Sequence, residues 1–292
     1  MILLTGATGT VGSALLRRLT GAGEPVRCLV RDPRRLGDQR VRVQIALGDL
    51  ANPPSFRNAL RGVDTVVHLA ATTRDQPHTS LEELNAVATL RLVRAAERAG
   101  ARRFVFFSAM GARHHSRTRF FRAKALAEEA VLASSLETLV FRPSIVYTPG
   151  DPWLTLLERF SYLPALPVSG SGRAEFQPIW AEDVADSVQA ALIASGPRRR
   201  AYDLAGPETL SYDEIVQVAL RAARRRRRLL HVPLPIVRAS LRALRQLSGP
   251  RVFATWEEAE LMEEPMTTPG GTADVEALGV RPLPMASVLG AA

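Results

Sequence analysis

Through the first half of the chain, short apolar runs alternate with longer stretches whose apolar positions recur at helical spacing. Runs at 2–4, 25–30, 42–46, 65–69, 103–107 and 138–141 read as strands, and helices are expected to begin near Val11, Pro54, Leu81 and Arg119. The third helix should close at Gly100, a left-handed C′ glycine. Near-continuous apolar strands separated by helices mean a parallel sheet covered on both faces, so six strands with crossover helices predict an α/β, doubly wound parallel sheet. Past Pro143 the texture changes. Prolines at 149, 152, 164, 167 and 178 and the loop Gly170-Ser171-Gly172 break the alternation, while 182–194 reads as one more helix returning to the sheet. The expected organisation is a dinucleotide-type domain over 1–150, with 176–200 returning to it. A smaller, partly interleaved C-terminal lobe takes 151–175 and 201–292.

Composition narrows the class. Hydrophobic residues make up 46% of the 292 and charged residues 23%, ordinary globular values that exclude a disordered or collagen-like chain. A single cysteine, Cys28, rules out an internal disulfide and fits a reducing compartment. The segment from Met1 to Gly6 has no basic n-region or cleavage site, and no apolar run reaches the length of a membrane span. A cytoplasmic location is expected. Charge is placed unevenly: from Arg198 to Arg251 there are 13 arginines against four acidic residues, an excess equal to the whole net charge of +9. All but one of the 38 basic residues are arginine, so the lone lysine, Lys124, marks a position where an ammonium is specifically required.

The turn Gly6-Ala7-Thr8-Gly9-Thr10-Val11-Gly12 follows the first strand and opens the first helix. In that context Gly6 permits the tight turn, Gly9 lets the backbone approach a pyrophosphate, and Gly12 lets the helix pack on the strand, with the helix N-terminus facing the anion. About 20 residues on, the second strand ends in Arg31-Asp32-Pro33-Arg34-Arg35. An acidic residue there binds the ribose 2′-hydroxyl of NAD, and an arginine takes the 2′-phosphate of NADP. Arg31, backed by Arg34 and Arg35, favours NADP(H) over NAD(H), the alternative being a solvated cluster in an arginine-rich chain.

With that turn, the segments Gly48-Asp49-Leu50, His68-Leu69-Ala70-Ala71, Asn85 and Arg142-Pro143-Ser144-Ile145-Val146-Tyr147 resemble the extended short-chain dehydrogenase/reductase superfamily of Rossmann proteins, over nearly the whole chain. More narrowly, Ser108-Ala109-Met110-Gly111-Ala112, the segment from Gln177 to Ala185 and that from Tyr202 to Glu208 resemble its atypical branch. That branch includes the nucleotide-binding accessory subunit of respiratory complex I and its bacterial relatives. The C-terminal stretch from Glu257 to Met262, followed by Leu278-Gly279-Val280, agrees.

The resemblance implies that Asp49 and Leu50 flank the adenine, that Ala70 and Ala71 line the diphosphate and ribose, and that Pro143, Ser144 and Ile145 border the nicotinamide. Asp49 capping a turn, His68 as a core histidine and Asn85 as a structural residue are the plainer readings. It also implies a tyrosine four residues before a lysine and a hydroxyl after the fifth strand. Lys124 is present, but Phe120 stands in the tyrosine position and Met110 in that of the hydroxyl. Ser108 is expected nearer the cofactor backbone or as a strand-end hydroxyl. The expected role of Lys124 is to bind the nicotinamide ribose. His114, His115 and Tyr147 are the alternative proton donors.

The implied function is therefore an NADP(H)-binding protein without the standard Tyr-Lys catalysis, its nucleotide structural or redox-sensing. Alternatives are an NADPH-dependent reductase or sugar-nucleotide epimerase with an unconventional acid, and a nucleotide-sensing regulator. Arg221 and Arg224 to Arg228 precede Ile236, Val237, Ser240, Leu241, Leu244 and Leu247 at helical spacing. Such a basic amphipathic stretch over 221–247 docks on a protein partner or on an anionic membrane surface, or packs its stripe on the lobe. With no aromatics in the arginine run, nucleic acid is not expected as a partner, nor is a metal site.

Overall fold

The computed structural model describes residues 1–77, 79–194, 199–248 and 255–290. Strands β1 (Ile2–Thr5), β2 (Val26–Val30), β3 (Gln44–Leu47), β4 (Thr65–His68), β5 (Arg103–Phe107) and β6 (Glu137–Pro143) lie near the expected positions. Next come β7 (Val146–Tyr147), β8 (Ala165–Ser169), β9 (Glu175–Phe176), β10 (Ile179–Trp180), β11 (Arg199–Leu204), β12 (Leu210–Ser211) and β13 (Arg228–Val232). The central sheet is parallel, in the order β11-β6-β5-β4-β1-β2-β3.

The count of six strands was one short. β11 completes the sheet at its far edge and runs to Leu204, past the expected boundary at 200; its arginine-rich start hid it among surface residues. β3 also begins two residues later than expected. Asp32 caps a 3-10 segment over Pro33–Val41, and Arg42 closes it, so pairing with β2 starts at Gln44.

The helices are α1 (Thr10–Gly21), α2 (Pro53–Phe56), α3 (Ala88–Arg98), α4 (Arg119–Leu132), α5 (Pro152–Phe160), α6 (Ala181–Ile193), α7 (Tyr212–Ala222), α8 (Leu234–Ser248), α9 (Trp256–Leu261), α10 (Ala273–Ala277) and α11 (Met285–Leu289). The stretch expected to be helical from Pro54 is a single turn, α2, followed by a 3-10 turn, Arg57–Leu60. A π-turn over Glu83–Val87 leads into α3, and Gly100 carries the expected positive φ, +76°.

Alternation along the strands divides the core. Leu4, Cys28, Val67 and Phe141 face α1 and α6 on one side, while Leu3, Leu29, Val66 and Phe104 face α2, α3 and α4 on the other. Arg18 of α1 bonds both Glu182 and Asp186 of α6, which joins the two helices of the first layer. A third cluster, built from α5, α7 and the short strands, fills the lobe above the C-terminal ends of β5 and β6. No described helix is long and apolar enough to cross a membrane.

Candidate functional site

β1 connects towards β2 on one side and β4 lies on the other, so the crevice at their C-terminal ends is a topological switch point, where open α/β sheets bind ligands. A cleft of about 620 Å³ opens there. Gly6, Thr8 and Gly9 form its floor, Arg31 and Arg35 follow β2, and Asp49 and Leu50 follow β3. Ala70 and Ala71 close the wall after β4.

The glycine spacing is explained by contact. A Cβ on Gly6, at φ +75°, would lie 2.6 Å from the Ala70 nitrogen, and one on Gly12 would lie 2.0 Å from the Gly6 carbonyl oxygen. The turn therefore folds onto α1 only as glycine. Thr10, Val11 and Gly12 sit in α1 itself, not on the cleft wall. The N-cap, Gly9, offers no side-chain cap and the first turn has no acid, so the helix leaves its first N–H groups facing the cleft for an anion.

Buried polar groups hold the walls. Thr89 donates its only hydroxyl proton to the Asn85 carbonyl at 2.6 Å, so His68 must donate Nε2–H to Thr89 Oγ1, 3.0 Å away. Nδ1 then accepts from Thr5 Oγ1 at 2.7 Å, and Thr5 lines the cleft. Burial pushes the His68 pKa down to about 3, with the Lys124 charge adding to it. His68 is a neutral core histidine. Asn85 grips Thr72, donating to its carbonyl at 2.7 Å and accepting from its N–H at 3.1 Å, which is a structural role. Asp49 both lines the cleft and caps its turn, accepting from the Ala51 N–H at 2.9 Å.

The profile of an NAD(P)H-binding family matches residues 6–155, which include the whole phosphate turn and three of the strands that border the cleft, β2, β3 and β4. The chain belongs to that family. It is 30% identical over 85% of its length to NADH dehydrogenase [ubiquinone] 1 alpha subcomplex subunit 9, mitochondrial, of Arabidopsis thaliana, of which it spans 62%. To the NAD(P)H azoreductase of Xenophilus azovorans it is also 30% identical, over 80% of this chain and 78% of that one. A nucleoside-diphosphate-sugar epimerase structure from Staphylococcus aureus superposes with a TM-score of 0.78 at 20% identity, covering 99% of both chains. The fold is thus that of the Rossmann short-chain dehydrogenases and epimerases.

In this NAD(P)H-binding chain the expected catalytic residues lie largely behind the cleft. Phe120 is on the cleft wall. Lys124 is not: its buried ammonium donates to the Phe107 carbonyl at 2.5 Å and lies 4.9 Å from the Phe106 ring centroid and 5.8 Å from that of Phe120. Burial lowers its pKa to about 7. The lone lysine thus places a compact ammonium between two rings, within reach of a backbone carbonyl. Phe120, 5.8 Å from that ammonium, lines the cleft, whereas Lys124 itself does not.

Ser108 Oγ is buried without a hydrogen-bond partner, and Met110 belongs to the lobe core. Pro143, Ser144 and Ile145 do not line the cleft either. Ser144 Oγ donates to the Met266 carbonyl at 2.7 Å and accepts from the Gln177 N–H at 3.0 Å, so the C-terminal segment has taken that hydroxyl. His114 and His115 are exposed, His114 lying 3.6 Å from Glu129. Tyr147 is fully buried, its hydroxyl is unpartnered, and its pKa is pushed up by burial. None of the three reaches the cleft.

The sequence reading missed the rim. Thr73, Arg74, Gln76 and Glu258 line the cleft, and Glu258, far along the chain in α9, accepts from Thr73 Oγ1 at 2.8 Å. Arg119, at the start of α4, meets both oxygens of Asp75 at 3.0 Å and both of Glu82 at 2.6 Å. Glu257 is 3.9 Å away. The adjacent Glu257-Glu258 pair was the available signal, but nothing in the sequence says that α9 folds back onto this loop.

In the basic lobe the expected stripe of α8 is partly covered: Val237 and Leu241 are half-buried, while Ile236 and Ser240 are exposed. α8 lies against α9, half-burying Leu234, Val237 and Leu241, and the Arg238 and Arg242 guanidinium groups lie 4.4 and 5.8 Å from the Trp256 ring centroid. Arg198, Arg251 and the side chains of Leu244, Arg245 and Leu247 lie outside the described residues.

Proposed function

We propose that the chain holds NADP(H) in the cleft as a structural or redox-sensing nucleotide and does not carry out the standard Tyr-Lys carbonyl reduction. The observation that carries this reading is Phe120 on the cleft wall, where a ring without a dissociable proton stands in the place of an acid. Preference for the 2′-phosphate rests on Arg31 and Arg35, both exposed on the cleft. Asp32, the residue that would take an NAD ribose, spends one carboxylate oxygen on the Arg34 N–H at 3.0 Å. The diphosphate would rest on Gly6, Gly9 and the N-terminus of α1, the adenine beside Asp49 and Leu50, and the nicotinamide towards Phe120. When bound, the group would supply a hydride; the chain's own residues bind and orient it. The buried thiol of Cys28 fits a reducing cytoplasmic setting.

Titration calorimetry with NADPH and NADH tests the assignment. NADPH should bind more tightly, and Arg31→Ala should cost about 1.5 to 3 kcal/mol of NADPH binding, the range for a hydrogen bond to a charged group. Equal affinities that survive the substitution would sink it. Likeness to the Xenophilus azovorans azoreductase favours a second reading, an active NADPH-dependent reductase. Steady turnover of simple carbonyls or azo dyes by the unmodified protein would establish it in place of the first.

A further inference from the structure

We propose that the outward face of the two-stranded β8–β13 sheet is a docking surface for an anionic lipid bilayer. The two strands pair in parallel with Arg228 opposite Ala165 and Leu230 opposite Pro167, and side chains alternate between faces. Leu229, Leu166 and Val168 turn inwards: Leu166 and Val168 are buried in the lobe core and Leu229 packs against it, while the exposed His231 lies 2.9 Å from Asp213 of α7. Arg228 and Leu230 therefore point away from the lobe. Leu230 is 58% exposed; Tyr162 at 67% and Leu163 at 44% lie on the segment leading into β8, and Ile236 at 55% lies in the first turn of α8.

Register continues beyond the strands. The Arg225 guanidinium lies 3.9 Å from the Tyr162 ring centroid, and Arg227 Nε donates to the Ser161 carbonyl at 2.8 Å, so the arginine run borders the segment leading into β8. Arg224, Arg226 and Arg228 are exposed around it. From Ile215 to Ser248 the chain has no aspartate or glutamate.

Charge and shape together select the occupant. Cations alone would suit any polyanion, but exposed aliphatic side chains gain only where they leave water. At a bilayer the arginines meet lipid phosphates while leucine and isoleucine enter the headgroup–acyl boundary. A nucleic acid would leave Leu163, Leu230 and Ile236 without a partner. The surface shares only Ile236 with the stripe of α8, whose Val237 and Leu241 are half-buried, and it is separate from the nucleotide cleft, so it stands or falls independently of the dinucleotide reading.

Co-sedimentation of the full chain with vesicles tests it. Vesicles of phosphatidylcholine and phosphatidylglycerol should retain the protein at low salt, phosphatidylcholine alone should not, and raising salt from about 50 to about 500 mM should release it about tenfold. The double variants Arg226→Gln/Arg228→Gln and Leu230→Ser/Ile236→Ser, checked for folding by circular dichroism, should each lose about fivefold or more. Absence of retention at low salt overturns the proposal. So does undiminished retention of the aliphatic variant with displacement by polyuridylate, which would mark a site for any polyanion. If a double variant does not fold, Tyr162→Trp carries the test: quenching of its emission by brominated lipid supports the surface, and no quenching overturns it.

Discussion

Lys124 brings a charge into a slot between Phe106 and Phe120, and the cost of that burial is what lowers its pKa to about 7. Unfolded, the amine titrates at its ordinary value of 10.5, so between about pH 7 and 10.5 the unfolded chain binds more protons than the folded one. Stability therefore rises with pH through that window, by at most about 1.4 kcal/mol per unit from one group. Cys28, pushed up to about 12 by burial, opposes this above its ordinary 9.0, so the clean interval is about pH 7 to 8.5. Urea titrations should show Lys124→Met flattening that slope and matching or exceeding the parent at pH 7. An unchanged slope would mean that the ammonium is not desolvated. Lys124→Arg should instead cost about 1 to 3 kcal/mol, as overpacking does.

At the scale of elements, the rim is held by groups from distant parts of the chain. Arg119 of α4 clamps the loop before α3 through Asp75 and Glu82, and α9 reaches the same loop through Glu258 and Thr73. Arg119 keeps the Glu82 carboxyl below the usual range, but the pair is partly exposed, so its worth is discounted to about 1 kcal/mol. Stopped-flow displacement of bound NADPH should show Arg119→Met releasing nucleotide roughly fivefold faster, the equivalent of about 1 kcal/mol. Release at the parent rate would show that the rim does not gate exit. The strands and helices that carry these groups were legible because their periodicity is local. The contact between α9 and residue 73 was not, because it joins positions far apart in the chain by polar groups that have no period.

For the whole molecule, the sheet is completed from outside the amino-terminal half. α6 covers α1 through the Arg18 ion pairs, and β11 pairs along the length of β6. A fragment ending at Gly150 would expose both surfaces to water. It should melt without a cooperative transition by circular dichroism, whereas the full chain should melt in one step. A sharp transition in the fragment would show that 1–150 is an independent domain.

Local chemistry determined much of this in advance. Gly6, Gly9 and Gly12 announced the phosphate turn, and at Gly6 and Gly12 the backbone approaches Ala70 and the turn itself so closely that no side chain fits. The strand-and-helix rhythm announced the parallel sheet because alternation and helical spacing are set by backbone geometry, residue by residue. Tertiary structure alone decided that Lys124 spends its charge on the Phe107 carbonyl, that Met266 occupies the Ser144 hydroxyl, and that Glu258 borders the cleft. Each of these depends on which partner arrives in space to meet a polar group, and that is a property of the assembled packing.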